Sequence, residues 1–91
     1  MELVNVGFGN LVVAGRILGI LTPDSAPAKR LVEKAEAQGL LLDVTRGKKR
    51  KSILVLDTGH VVLAAFRSAT LAARLASPKG GLEEDKAEEG E

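Results

Sequence analysis

Arg46-Gly47-Lys48-Lys49-Arg50-Lys51 places five cations and one glycine in six positions, with no acid among them. Like charges this close repel, so the free protein gains little from them. The chemistry they suit is electrostatic: capture of a polyanion that neutralises them and sheds its own counterions. The alternative is a solvated turn whose lysines keep the protein soluble. The absence of a compensating acid within the stretch favours the polyanion.

Other chemistry finds little material. There is no cysteine, so disulfides and thiolate metal sites are excluded, and a reducing, cytoplasmic location is the default expectation. His60 is the single histidine, and the acids of the body, Glu2, Asp24, Glu33, Glu36, Asp43 and Asp57, are scattered singly. No metal set and no nucleophile–base pair can be assembled from these, so neither a metal, a cofactor nor an enzymatic role is expected. His60 and Asp57 read as turn residues. Gly7-Phe8-Gly9 resembles the start of a dinucleotide fingerprint, but Val12 stands at the third glycine and no helical pattern follows. No apolar run reaches the length needed to cross a bilayer, and the opening lacks a signal-peptide pattern; neither membrane nor small-molecule ligand is implied.

The elements that must hold the basic stretch follow from periodicity. Leu40, Leu41, Leu42 and Val44 precede it and Ile53–Leu56 follow, so it reads as the loop between two buried strands. Val4, Val6 and Phe8 alternate as a half-buried strand, and Leu11–Val13 and Ile17–Leu21 are further short strands around Ala14-Gly15-Arg16. Arg16 falls at a turn or strand start, either as a solvated turn cation or as a phosphate contact beside the basic loop. Thr22 to Pro27 opens a helix through a Ser25 or Thr22 cap and a first-turn proline, and Gly39 closes it. Ala28, Leu31, Val32 and Ala35 form its apolar stripe, leaving Lys29, Arg30 and Lys34 outside. Lys29 can pair with Glu33, whereas Arg30 and Lys34 repel, so that edge is a secondary phosphate candidate. Asp57–His60 is a hairpin turn into Val61–Ala65, and Ser68 caps a second helix with Leu71, Ala72, Leu75 and Ala76 inward and Arg67 and Arg74 outward. The fold class is therefore α+β, a small mostly antiparallel sheet with two helices. The strands around 53–56 and 61–65 do not alternate and so need cover on both faces, from a second copy of the chain or from helices on opposite faces. A homo-oligomer is the expectation.

At 91 residues the chain is one small domain, with a division of charge. Residues 1–78 carry 11 Lys/Arg against 6 Asp/Glu, while 79–91 carry 2 against 6. The body is expected at 1–78 and a disordered acidic tail at 79–91, serving solubility or competing with DNA for the loop. Phe8 and Phe66 are the only aromatics, which argues against base stacking on single strands and leaves backbone or groove contacts to double-stranded DNA.

NVGFGNLV, AGRILGILTPDSAPAKRL, the glycine-plus-cations loop and LDTGHVVLAA together resemble the RemA family of bacterial extracellular matrix regulators, from about Asn5 to Leu75. The resemblance implies a cofactor-free, cytoplasmic, DNA-binding transcriptional activator of matrix or biofilm genes, with a fold likened to the LytTR type and assembled as a ring, an octamer in the family. By position it assigns the family's first-segment arginine to Arg16, its helix-opening proline to Pro27, and the paired basic residues after the loop glycine, Gly47, to Lys48 and Lys49, with Lys51 following. Arg46 stands where the family can carry an aromatic. Lysines replace the usual arginine pair, and a lysine cannot fork two bonds to guanine, so phosphate positioning is the role expected here. The full expected DNA-binding set is Arg16, Arg46, Lys48, Lys49, Arg50 and Lys51, with Arg30 beside them, and with Gly47 and Pro27 in structural roles. Two other classes compete: an architectural, nucleoid-type DNA binder without promoter specificity, and an adaptor oligomer whose loop meets acidic protein or anionic lipid.

Overall fold

The computed structural model describes residues 1–82, so the expected acidic tail lies outside the described residues from Glu83 onward. Within them the chain is α+β, with strands β1 (Leu3–Gly7), β2 (Asn10–Val13), β3 (Ile17–Leu21), β4 (Leu41–Asp43), β5 (Ser52–Leu56) and β6 (Val61–Ala64) and helices α1 (Ala26–Ala37) and α2 (Ser68–Ala76). A single 3₁₀ turn, Ala14–Arg16, joins β2 to β3. β1 and β2 form an antiparallel hairpin, and the other four strands form a sheet in the order β3-β5-β6-β4. All its pairs are antiparallel except β4 with β6.

Turn chemistry fixes the connections. Phe8 and Gly9, at φ 54° and 82°, occupy the two central positions of the β1–β2 turn, both left-handed as a tight right-twisting hairpin requires. The Gly-x-Gly is therefore a hairpin corner. Gly7 has a second constraint: a Cβ there would stand 2.6 Å from the Phe66 ring. Ser25 caps α1 by accepting a 3.2 Å bond from the Ala28 amide, and Pro27 sits in the first turn. At the other end Gly39 (φ 75°) turns the chain, the Leu40 amide bonds Ala35 O and the Gly39 amide bonds Glu36 O. This is the Schellman pattern, which satisfies carbonyls the helix leaves open.

The four-stranded sheet is covered on both faces by the chain itself. Ile53, Val61 and Leu63 meet Ala28, Val32 and Ala35 of α1 on one face. Leu54, Val62 and Ala64 meet Val4, Val6, Phe66 and Leu71 on the other. Successive residues of β5 and β6 thus alternate between two cores, each apolar. The continuous apolar strands are explained without a second copy, because β1, β2 and α2 supply the second layer.

Three expectations about the C-terminal part are corrected. α2 begins at Ser68 with Arg67 as its cap residue, and no side chain caps it. Its inward face is Leu71, Arg74 and Leu75, while Ala72 and Ala76 are not buried. Arg74 is 6% exposed. Its guanidinium lies 4.8 Å from the Phe66 ring centroid and Nη1 donates to Asn5 O at 3.0 Å. Stacking and a carbonyl acceptor make that burial tolerable. Further, Lys79 to Leu82, expected in the tail, belong to the body. Asn5 N donates to Gly80 O (2.9 Å) and Asn5 Nδ2 to Gly81 O (3.1 Å), and both glycines are buried. Gly80 (φ 59°) passes so close to Leu3 O that any side chain would collide.

Candidate nucleic-acid interface

β5 and β6 run antiparallel, and β4 runs with β6, so one end of the sheet collects the end of β3, the loop from β4 to β5, and the exit from β6. The basic stretch occupies that loop, anchored on both sides. At its entry the Asp43 carboxylate accepts from the Thr45 amide (2.9 Å) and hydroxyl (2.7 Å), a local turn that buries Thr45. The Thr45 hydroxyl, then its amide, hold the Asp43 carboxyl below its ordinary value; partial burial opposes them, and the Arg50 charge lowers it a little further. At the exit Lys51 N donates to Ala64 O (2.8 Å), and the buried Ser52 hydroxyl donates to Phe66 O (2.7 Å).

Between these anchors Arg46 and Gly47 both adopt left-handed conformations, φ 57° and 81°, and the Lys48 amide closes a turn onto Thr45 O at 3.0 Å. The Arg46 guanidinium lies 5.2 Å from the Phe8 ring centroid, which ties the loop to the β1–β2 corner. Lys48, Lys49 and Arg50 are exposed and Lys51 half-buried. Lys49, Arg50 and Lys51 line an open groove of about 420 Å³, shared with Thr22–Asp24 and with Arg67 and Ser68 at the start of α2. No cation of the groove is within ion-pair distance of an acid among the described residues. Two acids nonetheless stand nearby, Asp24 in the groove wall and Asp43 beside Arg50. The sequence, which shows no acid inside the stretch, conceals both.

Arg16 is not beside the loop. Ile17 pairs with Leu56, and the Asp57 amide donates to Arg16 O, which puts Arg16 at the far end of β5. Five residues of strand, about 17 Å, separate it from Lys51. There its guanidinium pairs with the Asp57 carboxylate at 3.2 Å, the one ion pair among the described residues. Asp57 is thus also the partner of a cation, and the adjoining Thr58 hydroxyl and His60 Nδ1 share a local 2.7 Å bond. Arg30 is exposed on α1 and does not line the groove. Pro27 acts on the helix entry. Arg67 is the cation that sequence reasoning passed over, since it stands alone, 16 residues beyond Lys51. Its position after a hairpin whose other end begins at the loop was the available signal. Among the described residues no group of His, Cys, Asp or Glu could hold a metal, and no helix is long and apolar enough to cross a membrane.

Residues 3–75 match the family RemA-like, described as extracellular matrix regulatory protein A-like. The chain belongs to the RemA-like family. A relative from Dictyoglomus thermophilum is 51% identical over 89 residues, covering 98% of each chain. One from Synechococcus elongatus is 46% identical over 80 residues, 88% of this chain and 92% of that one. One from Clostridium botulinum is 42% identical over 91 residues, 100% and 97% respectively. All three are named as candidate regulatory proteins, in keeping with the regulatory description of the RemA-like family.

Proposed function

We propose that this RemA-like protein is a cytoplasmic, cofactor-free transcriptional regulator that binds the backbone of duplex DNA through the basic end of its sheet. The observation that carries the reading is the convergence of Lys49, Arg50, Lys51 and Arg67 on one groove. Lysines dominate the loop, so the contacts position DNA by its phosphates, and sequence preference comes from how readily a site bends. One such surface binds weakly, and repeating it in a homo-oligomeric ring raises the effective concentration of each successive contact. A LytTR-type subunit is what the family resemblance implies, while the ring reading draws support from Leu18 and Leu42, 70% and 46% exposed. They lie on β3 and β4, the two outer strands of the sheet. Contacts that join unlike surfaces of successive copies are those that close rings. Activation of matrix genes is the family's role carried to this chain.

The test is binding of promoter and random duplexes across a salt series. Lys48→Ala/Lys49→Ala is expected to weaken binding to all sequences at least about tenfold and to flatten the salt dependence by roughly one unit for each phosphate no longer neutralised. Normal binding by that double variant removes the loop from the interface. The lysine-rich loop also suits an architectural binder without promoter preference. Equal competition by random and promoter DNA would establish that second reading in place of the first.

A further inference from the structure

We propose that Arg67 is a phosphate contact of the groove, acting with Lys49, Arg50 and Lys51, and that Asp24 in the same wall holds the groove's affinity for DNA down. This deepens the duplex-binding reading and rests on it. Arg67 is exposed, and it is brought to the loop by the β5–β6 hairpin. The Ser52–Phe66 bond then fixes the residue just before Arg67 to the residue just after Lys51. The Arg67 backbone is consequently pinned to the loop's exit, so folding sets which cations it stands beside. Arg67 and Arg50 supply planar forks that can hold two phosphate oxygens each, whereas the lysines supply point charges. Cations that line one concavity raise its potential more than the same charges spread over a convex face. Asp24 is the one acid among the described residues of the lining, and its carboxylate opposes an incoming phosphate. The two residues therefore carry opposite signs of effect, which a merely structural role would not produce.

The experiment is a fluorescence-anisotropy titration of the full chain with a labelled random duplex over a sodium chloride series. It compares wild type with Arg67→Ala, Arg67→Lys and Asp24→Asn, and thermal melting checks that each variant is folded. Arg67→Ala is expected to weaken binding several-fold and to lower the salt slope by about one, the share of a single neutralised phosphate. Arg67→Lys should keep the slope while binding more weakly, and it preserves the test if the alanine variant does not fold. Asp24→Asn should tighten binding. Wild-type affinity and slope in Arg67→Ala, or weaker binding by Asp24→Asn, overturns the groove assignment while leaving duplex binding in place. A wild-type protein that takes up no duplex at low salt overturns both.

Discussion

The two ends of the four-stranded sheet are built from the same kinds of parts and treat charge in opposite ways. At the far end a cation, Arg16, faces an acid, Asp57, at 3.2 Å, and the neighbouring turn satisfies itself through Thr58 and His60. At the near end the cations outnumber the acids, and hydrogen bonds at the entry and exit of the loop fix the backbone that bears them. A paired exposed charge contributes little to either stability or recognition. Cations held together without partners cost the free protein something and favour an external anion. Charge number is a poor guide to a working surface; what matters is whether the fold lets each charge find its opposite.

The comparison is tested most strongly by the hydrogen bonds that hold each end. Ser52→Ala strips a donor from the buried Phe66 carbonyl and should cost about 1–3 kcal/mol in denaturant unfolding. Thr58→Ala removes an exposed bond and should cost no more than about half a kcal/mol. Equal costs would mean that the near end is no more firmly built than the far one.

Next in size is DNA affinity. Lys49→Ala/Lys51→Ala should reduce it about tenfold or more, whereas Arg16→Ala, which removes a cation already paired, should change it about twofold at most. A loss at Arg16 as large as at the loop would show that one DNA path reaches both ends of the sheet, and the contrast would fail. Smallest is an effect of acid. Asp43 has a lower value folded than unfolded, so its turn stabilises the protein above its ordinary value near 3.8 and loses that contribution as pH falls through the folded value. Melting temperature followed downward from about pH 5, above the window in which a carboxylate of this kind titrates, should decline less in Asp43→Asn than in wild type.

Much of the architecture was legible because its signals are local. Ser25, Pro27 and Gly39 mark α1, alternation and Gly7–Asn10 mark the first hairpin, and Gly59 at φ 93° turns β5 into β6. The basic loop was legible for the same reason, as a contiguous run. What escaped depends on partners distant in sequence. Arg74 reads as a surface cation until Phe66 and Asn5 are brought to it, the latter across 69 residues. For Arg16 the sequence leaves open a solvated turn cation or a phosphate contact beside the loop, until the antiparallel pairing of β3 with β5 places it at the other end. The apolar strands left open a second copy or helices on opposite faces as their cover; the fold answers with α1 on one face and α2, joined by the β1–β2 hairpin, on the other. Lys79 to Leu82 begin a stretch with too little apolar content to repay ordering, yet Gly80 and Gly81 fit against β1 and Arg74.

The fit against β1 has a topological consequence. The Asn5–Gly80 hydrogen bond closes the described body into a circuit, with its first strand and its last turn side by side. A gene permuted so that a short linker replaces residues 83–91 and joins the last turn of the described body to its first strand, and reopened at the Asp57–His60 turn, would keep every strand pair and lose only the covalent link between β5 and β6. Such a permutant would free new termini at the charge-paired end and leave the basic groove intact, a scaffold on which fusions could be carried without approaching it.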